Sequence, residues 1–509
     1  MFSFLLYFVL FLLFRIEVIY LIISVKGGAG VQGLTTKVTI EDMKRSIHWN
    51  ALPKTFQDAI SMTKALGIQY LWIDSLCIIQ DDRRDWDRES VRMAAIYSNS
   101  YINIAATGSP DSRVGFLNPR KISTPIKVLE VQPFSEKLKA KLAIPFHRRC
   151  QKPQTGREVF VRRSFSEAHH QITSKRTYGS NVSDEKVVPL LFRAWVFQER
   201  YLAPRTVHFH PTELVMECKQ SLYCECSGLD EILPVTSEKS FDPKSCSISK
   251  AFGLWLNIVE GFSRLQLTRE SDRLRALVGV ATVYQSHLKC AYLAGIWESD
   301  LARGLAWDII RGFELRQETT VYPHRRRDGV PSWSWASMQF FAKGHGIQFP
   351  RSKSPDFKID PRLMYLGTDI PVKADEITSG NGKKQLHVRG ATIQASVYMP
   401  LHVSPNLLDI VAGMLIEVEV DDFMFITVAD ARLDTLENES RMVLGTNVTF
   451  LIVGSGPMFE KVEREVIILQ RSAVDENQFE RIGILSFFDY ACSPYAPDPM
   501  GGLVDLILI

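Results

Sequence analysis

The sequence predicts an α/β protein: a βα core built on a parallel sheet, then a mainly helical region, then a β-rich C-terminal region. Three observations carry that prediction. Two runs rich in strand-favouring residues, Tyr70-Leu71-Trp72-Ile73 and Tyr101-Ile102-Asn103-Ile104-Ala105, flank helical sequence from Asp85 to Tyr97, which is the signature of a βαβ unit. Helical sequence dominates from about Phe252 to Phe313, including Asp272 to Tyr284 and Leu301 to Ile310. Strand-like runs then follow at Leu386–Val388, Leu415–Val420, Val448–Val453 and Val466–Leu469.

At 509 residues the chain exceeds the roughly 100 to 200 of one domain, so several are expected. The divisions are an apolar leader over residues 1–26, a βα domain over 27–200 with a polar insertion at about 120–190, a mainly helical region over 201–340, and a β-rich region over 341–509. Hydrophobic residues at 46% and charged residues at 23% supply an ordinary core and exclude wholesale disorder, collagen and coiled coil. Sixty basic and 57 acidic side chains give a net charge of +3, so nucleic acid is not an expected partner. Eight irregularly spaced cysteines offer no disulfide framework and indicate a reducing, cytoplasmic setting.

Taken in order, the first element is the leader. Phe4 to Phe14 is unbroken apolar sequence; Arg15, Ile16 and Glu17 interrupt it before a second apolar run, Val18 to Val25. A membrane-spanning helix would place two charges near the bilayer centre, at about 2.5 to 3.5 kcal/mol each. A secretory signal would want a basic start, which Met1-Phe2-Ser3 lacks. The third reading is a segment that is not natural coding sequence, or a buried strand with an unusual lead, so residues 1–25 leave membrane association open.

Gly28-Ala29-Gly30-Val31-Gln32-Gly33 matches G-x-G-x-x-G, but Leu34 to Ile40 is β-branched rather than a helix opening, so no helix N-terminus would face a pyrophosphate. A flexible turn is the plainer reading. Thr55-Phe56-Gln57-Asp58 reads as a capping box for a helix that Gly67 stops. Residues 120–190, with Arg162-Arg163 and His169-His170, read as a surface insertion.

The chemistry-bearing stretch is Trp72 to Asp82, where Asp74, Cys77 and Gln80 sit in a strand-to-helix loop. Ligands of open α/β sheets gather at the carboxyl ends of strands, where Asp74 would stand. In the next helix Trp86, Glu89, Met93 and Ile96 share one face. Glu89 there is either an acid stabilised by the helix start, at about 0.3 to 1 kcal/mol, or a desolvated carboxylate aimed beneath Asp74 for acid/base work. Cys77 reads as a buried structural thiol, because no histidine signature accompanies it. His208, His210, Cys218, Cys224 and Cys226 cluster in sequence, yet their gaps fit no common zinc pattern, and no metal is expected. Arg193, Trp195, Gln198 and Glu199 form a helical group that either packs or closes the Asp74 cleft.

These residues carry a resemblance. The run Leu66 to Asp82 with Trp72, Asp74, Cys77 and Gln80, followed by Asp85-Trp86, Glu89-Ser90, Met93, Ile96-Tyr97 and Ile104-Ala105-Ala106, resembles the heterokaryon incompatibility (HET) domain of filamentous fungi. Arg193-Ala194-Trp195-Val196-Phe197-Gln198-Glu199-Arg200 is similar to its closing R-G-W-x-x-Q-E-R motif, with Ala194 in the glycine position. Asp272–Leu277, Tyr292–Trp297 and Pro331–Ser337 resemble segments that accompany the domain. The opening S-x-x-W-G-G is replaced by Ser24-Val25-Lys26-Gly27-Gly28, and the resemblance resumes at Gly27.

The resemblance implies a role in non-self recognition that ends in growth arrest or programmed cell death. It also implies a flavodoxin- or TIR-like core, and TIR domains include enzymes that cleave NAD with a glutamate. On that footing Glu89 and Asp74 are the catalytic candidates, Gln80 and Trp86 line the pocket, and NAD is a substrate rather than a bound cofactor. The rival readings are a non-enzymatic module acting by self-association or through a separate sensor protein, and a membrane-disrupting effector using the leader.

Overall fold

A computed structural model of the chain describes residues 20–24, 34–118, 182–226, 243–310, 330–340, 345–349, 352–370, 384–398, 414–420, 424–433, 447–458, 461–488 and 502–509, with short pieces at 124–126, 159–161, 169, 172, 229, 324–325 and 372–374. Most of the leader, the Gly28–Gly33 motif and most of the 120–190 insertion lie outside the described residues.

The N-terminal sheet has six strands. β1 (Tyr20–Ser24) lies between β2 (Tyr70–Trp72) and β3 (Ile102–Ala105), parallel to both, with Leu21 opposite Leu71 and Ile22 opposite Asn103. β4 (Arg205–Phe209) continues the parallel set beside β3, and β5 (Leu214–Cys218) and β6 (Leu222–Cys224) extend it antiparallel. The order is therefore β2-β1-β3-β4-β5-β6.

Of the readings open for the leader, Tyr20–Ser24 takes the buried strand: it is an inner strand whose Ile22 and Ile23 are 0% and 2% exposed, successive strand residues burying on opposite faces. The β2 and β3 strands of the expected βαβ unit lie parallel in one sheet, with β1 between them. The sheet also runs on through β6, so the stretch after residue 200 opens with strands and helices dominate only from about residue 248.

Both faces of the parallel strands are covered, as parallel strands require. On one face Ile23, Ile73 and Ile104 pack with Phe56 and Ala59 of helix α1 (Lys54–Ala65). On the other, Ile22 and Trp72 join Met93, Ile96 and Tyr97 of helix α2 (Arg83–Ser98) and Ala194 and Phe197 of helix α3 (Ala194–Leu202). The expected capping box does not form: Pro53 precedes α1, and Asp58 instead accepts from the backbone amides of Phe116 and Leu117 at 2.9 and 3.1 Å. A buried carboxylate reaches across to organise the 111–118 loop rather than its own helix end. Gly67, at φ +68°, does end α1: its amide bonds Lys64 O while Ile68 N bonds Thr63 O, the paired closure that a left-handed residue permits.

Beyond the sheet, α4 (Ile248–Ser263) and α5 (Arg275–Leu288) hold an aromatic cluster of Trp255, Tyr284, Tyr292 and Trp297. Gly295 O accepts from the indole N–H of both Trp255 and Trp335, each at 3.0 Å. Gly295 itself sits at φ +106°, and a Cβ there would lie 2.4 Å from Trp335 Nε1, so backbone angle and space both exclude a side chain. The expected helix Leu301 to Ile310 stops at Leu305; Asp308–Ile310 is a strand paired with Gly346–Gln348.

The C-terminal region is the β-rich unit the sequence predicts. Its strands are β7 (Lys358–Ile359), β8 (Met364–Thr368), β9 (Leu386–Tyr398), β10 (Met414–Val420), β11 (Met424–Leu433), β12 (Asn447–Met458), β13 (Lys461–Arg471), β14 (Gln478–Phe488) and β15 (Leu503–Leu508). β9 pairs with both β10 and β12, and the path β10-β11-β14-β13-β12 returns to it, so six strands close into a ring. Fully buried Arg481 joins this ring to the helical region, donating to the carbonyls of Leu305 and Trp307 and lying over the Trp307 ring. No helix among the described residues is long and apolar enough to cross a membrane.

Candidate functional site

A cavity of about 460 Å³ opens beside the carboxyl ends of β1 and β2, within the range typical of small-molecule sites. Ile23 of β1 forms part of its floor. One wall is the loop after β2, which contributes Asp74 and Gln80. Asp74 opens a short helical turn (Asp74–Cys77), its Oδ1 accepting from Ser75 N at 2.6 Å. The Gln80 side chain bonds the carbonyls of Ile78 and Asp74, and its amide bonds Thr35 O at 2.8 Å. Thr35 in turn bonds Leu76 O, so the segment before α1 straps the loop down.

The second wall is α2, which presents Arg83, Trp86, Met93 and Tyr97 to the cavity. Asp82 starts the helix by capping Arg84 N at 3.0 Å. Buried Asp85 fixes the loop to it, accepting from Ile79 N at 2.8 Å and from Arg88. Trp72, also expected in the motif, stays in the core, edge to face with Tyr97.

The third wall pairs Arg193, Trp195 and Glu199 with the segment Gln266 to Asp272 from the helical region. Backbone bonds hold the two together: Ala194 N to Gln266 O at 3.0 Å and Gln266 N to Phe192 O at 2.8 Å. Trp195 donates to Asp272 and meets Trp86 edge to face, ring centroids 5.8 Å apart. Arg83 and Arg275 both stand 5.5 Å from the Trp86 ring centre.

Glu89 is not brought to this cavity. It is 8% exposed and accepts from Arg88 Nε at 3.1 Å and Arg92 Nη1 at 3.0 Å on its own helix. At 3.6 residues per turn it stands about 60° around α2 from the Trp86–Met93–Tyr97 stripe, and the two arginines complete its pairing there. The carboxylates that share the cavity with Asp74 are Asp81, Asp82, Asp272 and Glu199, the last 7% exposed. The Arg193–Glu199 motif thus divides its labour. Gln198 leaves the cavity, its Oε1 accepting from Gly279 N of α5 at 2.6 Å. Arg200, in the same helix, forks onto Glu217 of β5 at 2.7 and 3.1 Å.

The electrostatics are mixed. Asp74, Asp81, Asp82, Glu199 and Asp272 face Arg83, Arg193 and Arg269. Asp74 is open to the cavity yet ringed by protein, and that desolvation raises its pKa above the usual carboxylate value against the pull of the Ser75 amide and Arg193. Burial likewise raises Asp272, against Arg275, Arg269 and Arg83. Burial pushes the Cys77 thiol up to about 12, with the charges of Asp74 and Glu89 adding to it, which removes it as a nucleophile.

His208, His210 and Cys218, close in sequence, each make contacts of their own. His208 lies between Thr107 and Glu217, His210 turns to Thr212, and Cys218 contacts Ser221.

The Gln266–Asp272 wall was not among the residues the motifs singled out as site-forming. The only hint was the Asp272–Leu277 segment itself, because a contact between distant segments leaves no spacing pattern.

Residues 20–199 match the model of the family described as Heterokaryon incompatibility protein (HET), so that part of the chain is a heterokaryon incompatibility domain. The match begins at β1 and ends at Glu199, leaving the Gln266–Asp272 wall outside it. No curated protein and no solved structure matches the chain.

Proposed function

We propose that the chain is an effector of heterokaryon incompatibility whose output, programmed cell death, comes from cleavage of NAD in the cavity between β2, α2 and α3. The single observation that carries this reading is that Asp74 and Glu199 line one cavity at the carboxyl end of a parallel sheet. The strand order β2-β1-β3-β4 supports a flavodoxin- or TIR-like reading, in which ligands lie where the order reverses around β1.

The residues suit a dinucleotide. Arg83, Arg193 and Arg269 supply fork-shaped donors for a pyrophosphate. In the reaction, the bond between ribose C1′ and the nicotinamide nitrogen breaks and its electron pair leaves with nicotinamide. Glu199 stabilises the positive charge that develops on the ribose. Water then adds to C1′ and gives up a proton, for which Asp74, with its raised pKa, is the acceptor.

Nicotinamide release by the purified full chain tests this. The expected result is turnover in the wild type, at least tenfold lower turnover in Glu199→Gln and Asp74→Asn, and little change in Glu89→Gln. Turnover that ignores Glu199→Gln, or no turnover by any assembly of the wild type, overturns the enzymatic reading and favours a module that signals by self-association or through a sensor partner.

A further inference from the structure

At the far edge of the N-terminal sheet, four side chains from three separate segments converge. His169 Nε2 lies 2.7 Å from Glu213 Oε1 and 3.1 Å from Cys226 Sγ, and Cys226 Sγ lies 3.2 Å from Cys224 Sγ. One donor atom from each falls within 4.8 Å of all the others, an arrangement found once among the described residues. We infer that His169, Glu213, Cys224 and Cys226 bind a zinc ion.

The donor set is the argument's first support. Two thiols, an imidazole and a carboxylate are the ligand types zinc takes in tetrahedral sites, with bonds of about 2.0 to 2.3 Å. A tetrahedron on such bonds has edges of about 3.3 to 3.8 Å, so these three contacts need spread by only about 0.5 Å, and every other donor pair stands within 4.8 Å. The second support is the surroundings. Leu229 N donates to Cys224 Sγ at 3.4 Å, the kind of backbone bond that orients and stabilises a metal-bound thiolate. Glu213 is 0% exposed, and a carboxylate in so dry a place is stabilised by a cation against it.

The C-x-C spacing of Cys224 and Cys226 argues against zinc only if the strand continues through it. β6 ends at Cys224, and the turn at residues 225 and 226 bends the second thiol back beside the first. Glu213 stands just before β5, in the turn that follows β4, and His169 arrives from within the 120–190 insertion. The ion would therefore clasp the insertion to the sheet edge, a structural role separate from the Asp74–Glu199 cavity.

Metal analysis of the full chain, purified under reducing conditions, exposed to Zn²⁺ alone and desalted, tests the site. The expected result is one zinc per chain, lost in Cys224→Ser/Cys226→Ser and kept in Cys246→Ser. Should the double variant fail to fold, Co²⁺ loading of the wild type decides: tetrahedral bands with thiolate-to-cobalt charge transfer are expected. Absence of those bands, no zinc uptake, zinc retained by the folded double variant, or a Cys224–Cys226 disulfide in the zinc-exposed protein overturns the inference.

Discussion

The Trp86 and Trp195 rings meet edge to face, their centroids 5.8 Å apart and their planes at 87°. Each comes from a different wall of the cavity, so this contact fixes the gap between them. Edge-to-face pairs contribute about 0.5 to 1.5 kcal/mol beyond the area they bury. Replacing either by leucine is expected to lower stability by about 1 to 3 kcal/mol. The double variant should lose less than the sum by about 0.5 to 1.5 kcal/mol, measured by urea unfolding. Strict additivity would mean that the rings do not couple the two walls.

Cys77 is expected to resist alkylation. With its thiol pushed up to about 12, the thiolate fraction at pH 8 is on the order of 10⁻⁴. Peptide mapping after iodoacetamide treatment of the native protein at pH 8 should recover Cys77 unmodified and recover it alkylated once the chain is unfolded. Modification in the native state at the rate of a surface thiol would contradict its placement.

Asp300 makes a pH-dependent contribution with a definite sign. It is 3% exposed, and burial pushes its pKa up to about 6 even though Arg303 Nε donates to it at 2.6 Å. Between about pH 4 and pH 6 the unfolded chain has released the proton that the native state still holds, so stability falls as pH rises through that window and is level above it. Asp300→Asn should remove that slope. Urea midpoints of wild type and variant are expected to converge or cross between pH 4 and pH 7, and parallel curves would contradict the assignment.

Arg481→Met is expected to cost about 2 to 5 kcal/mol, because it leaves the Leu305 and Trp307 carbonyls without their charged donor in a dry interior. Thermal unfolding should show the loss as a drop of several degrees; a midpoint within about 1 °C of wild type would contradict the role given to this side chain.

Much of the fold was legible because local pattern decided it. The α2 stripe, the strand runs and the β-rich tail followed from periodicity. β1 was not, since no turn residue separates it from the apolar sequence before it, and such a run looks alike as leader, helix or inner strand. In the site, Asp74 was legible from its place after a strand. Glu89 was misplaced because shared helical spacing fixes a face only to within about 60°, and Arg88 and Arg92 decided which side of it the carboxylate took. Asp272 was out of reach, as its wall is built by the Ala194–Gln266 backbone pairing between segments that no sequence period links. The nearness of the Cys224 and Cys226 thiols was not legible from their spacing, because the end of β6 is set by the turn that follows it.

The most direct test follows viability and nicotinamide nucleotides together in a filamentous fungus with inducible expression of wild type, Glu199→Gln and Glu89→Gln at matched levels. Among the described residues Glu89 pairs with Arg88 and Arg92, both exposed, so its loss should cost under about 1 kcal/mol and spare the output. The account predicts death with NAD depletion for wild type and Glu89→Gln, and survival with NAD intact for Glu199→Gln. Death at the wild-type rate in Glu199→Gln, with NAD unchanged, would contradict it.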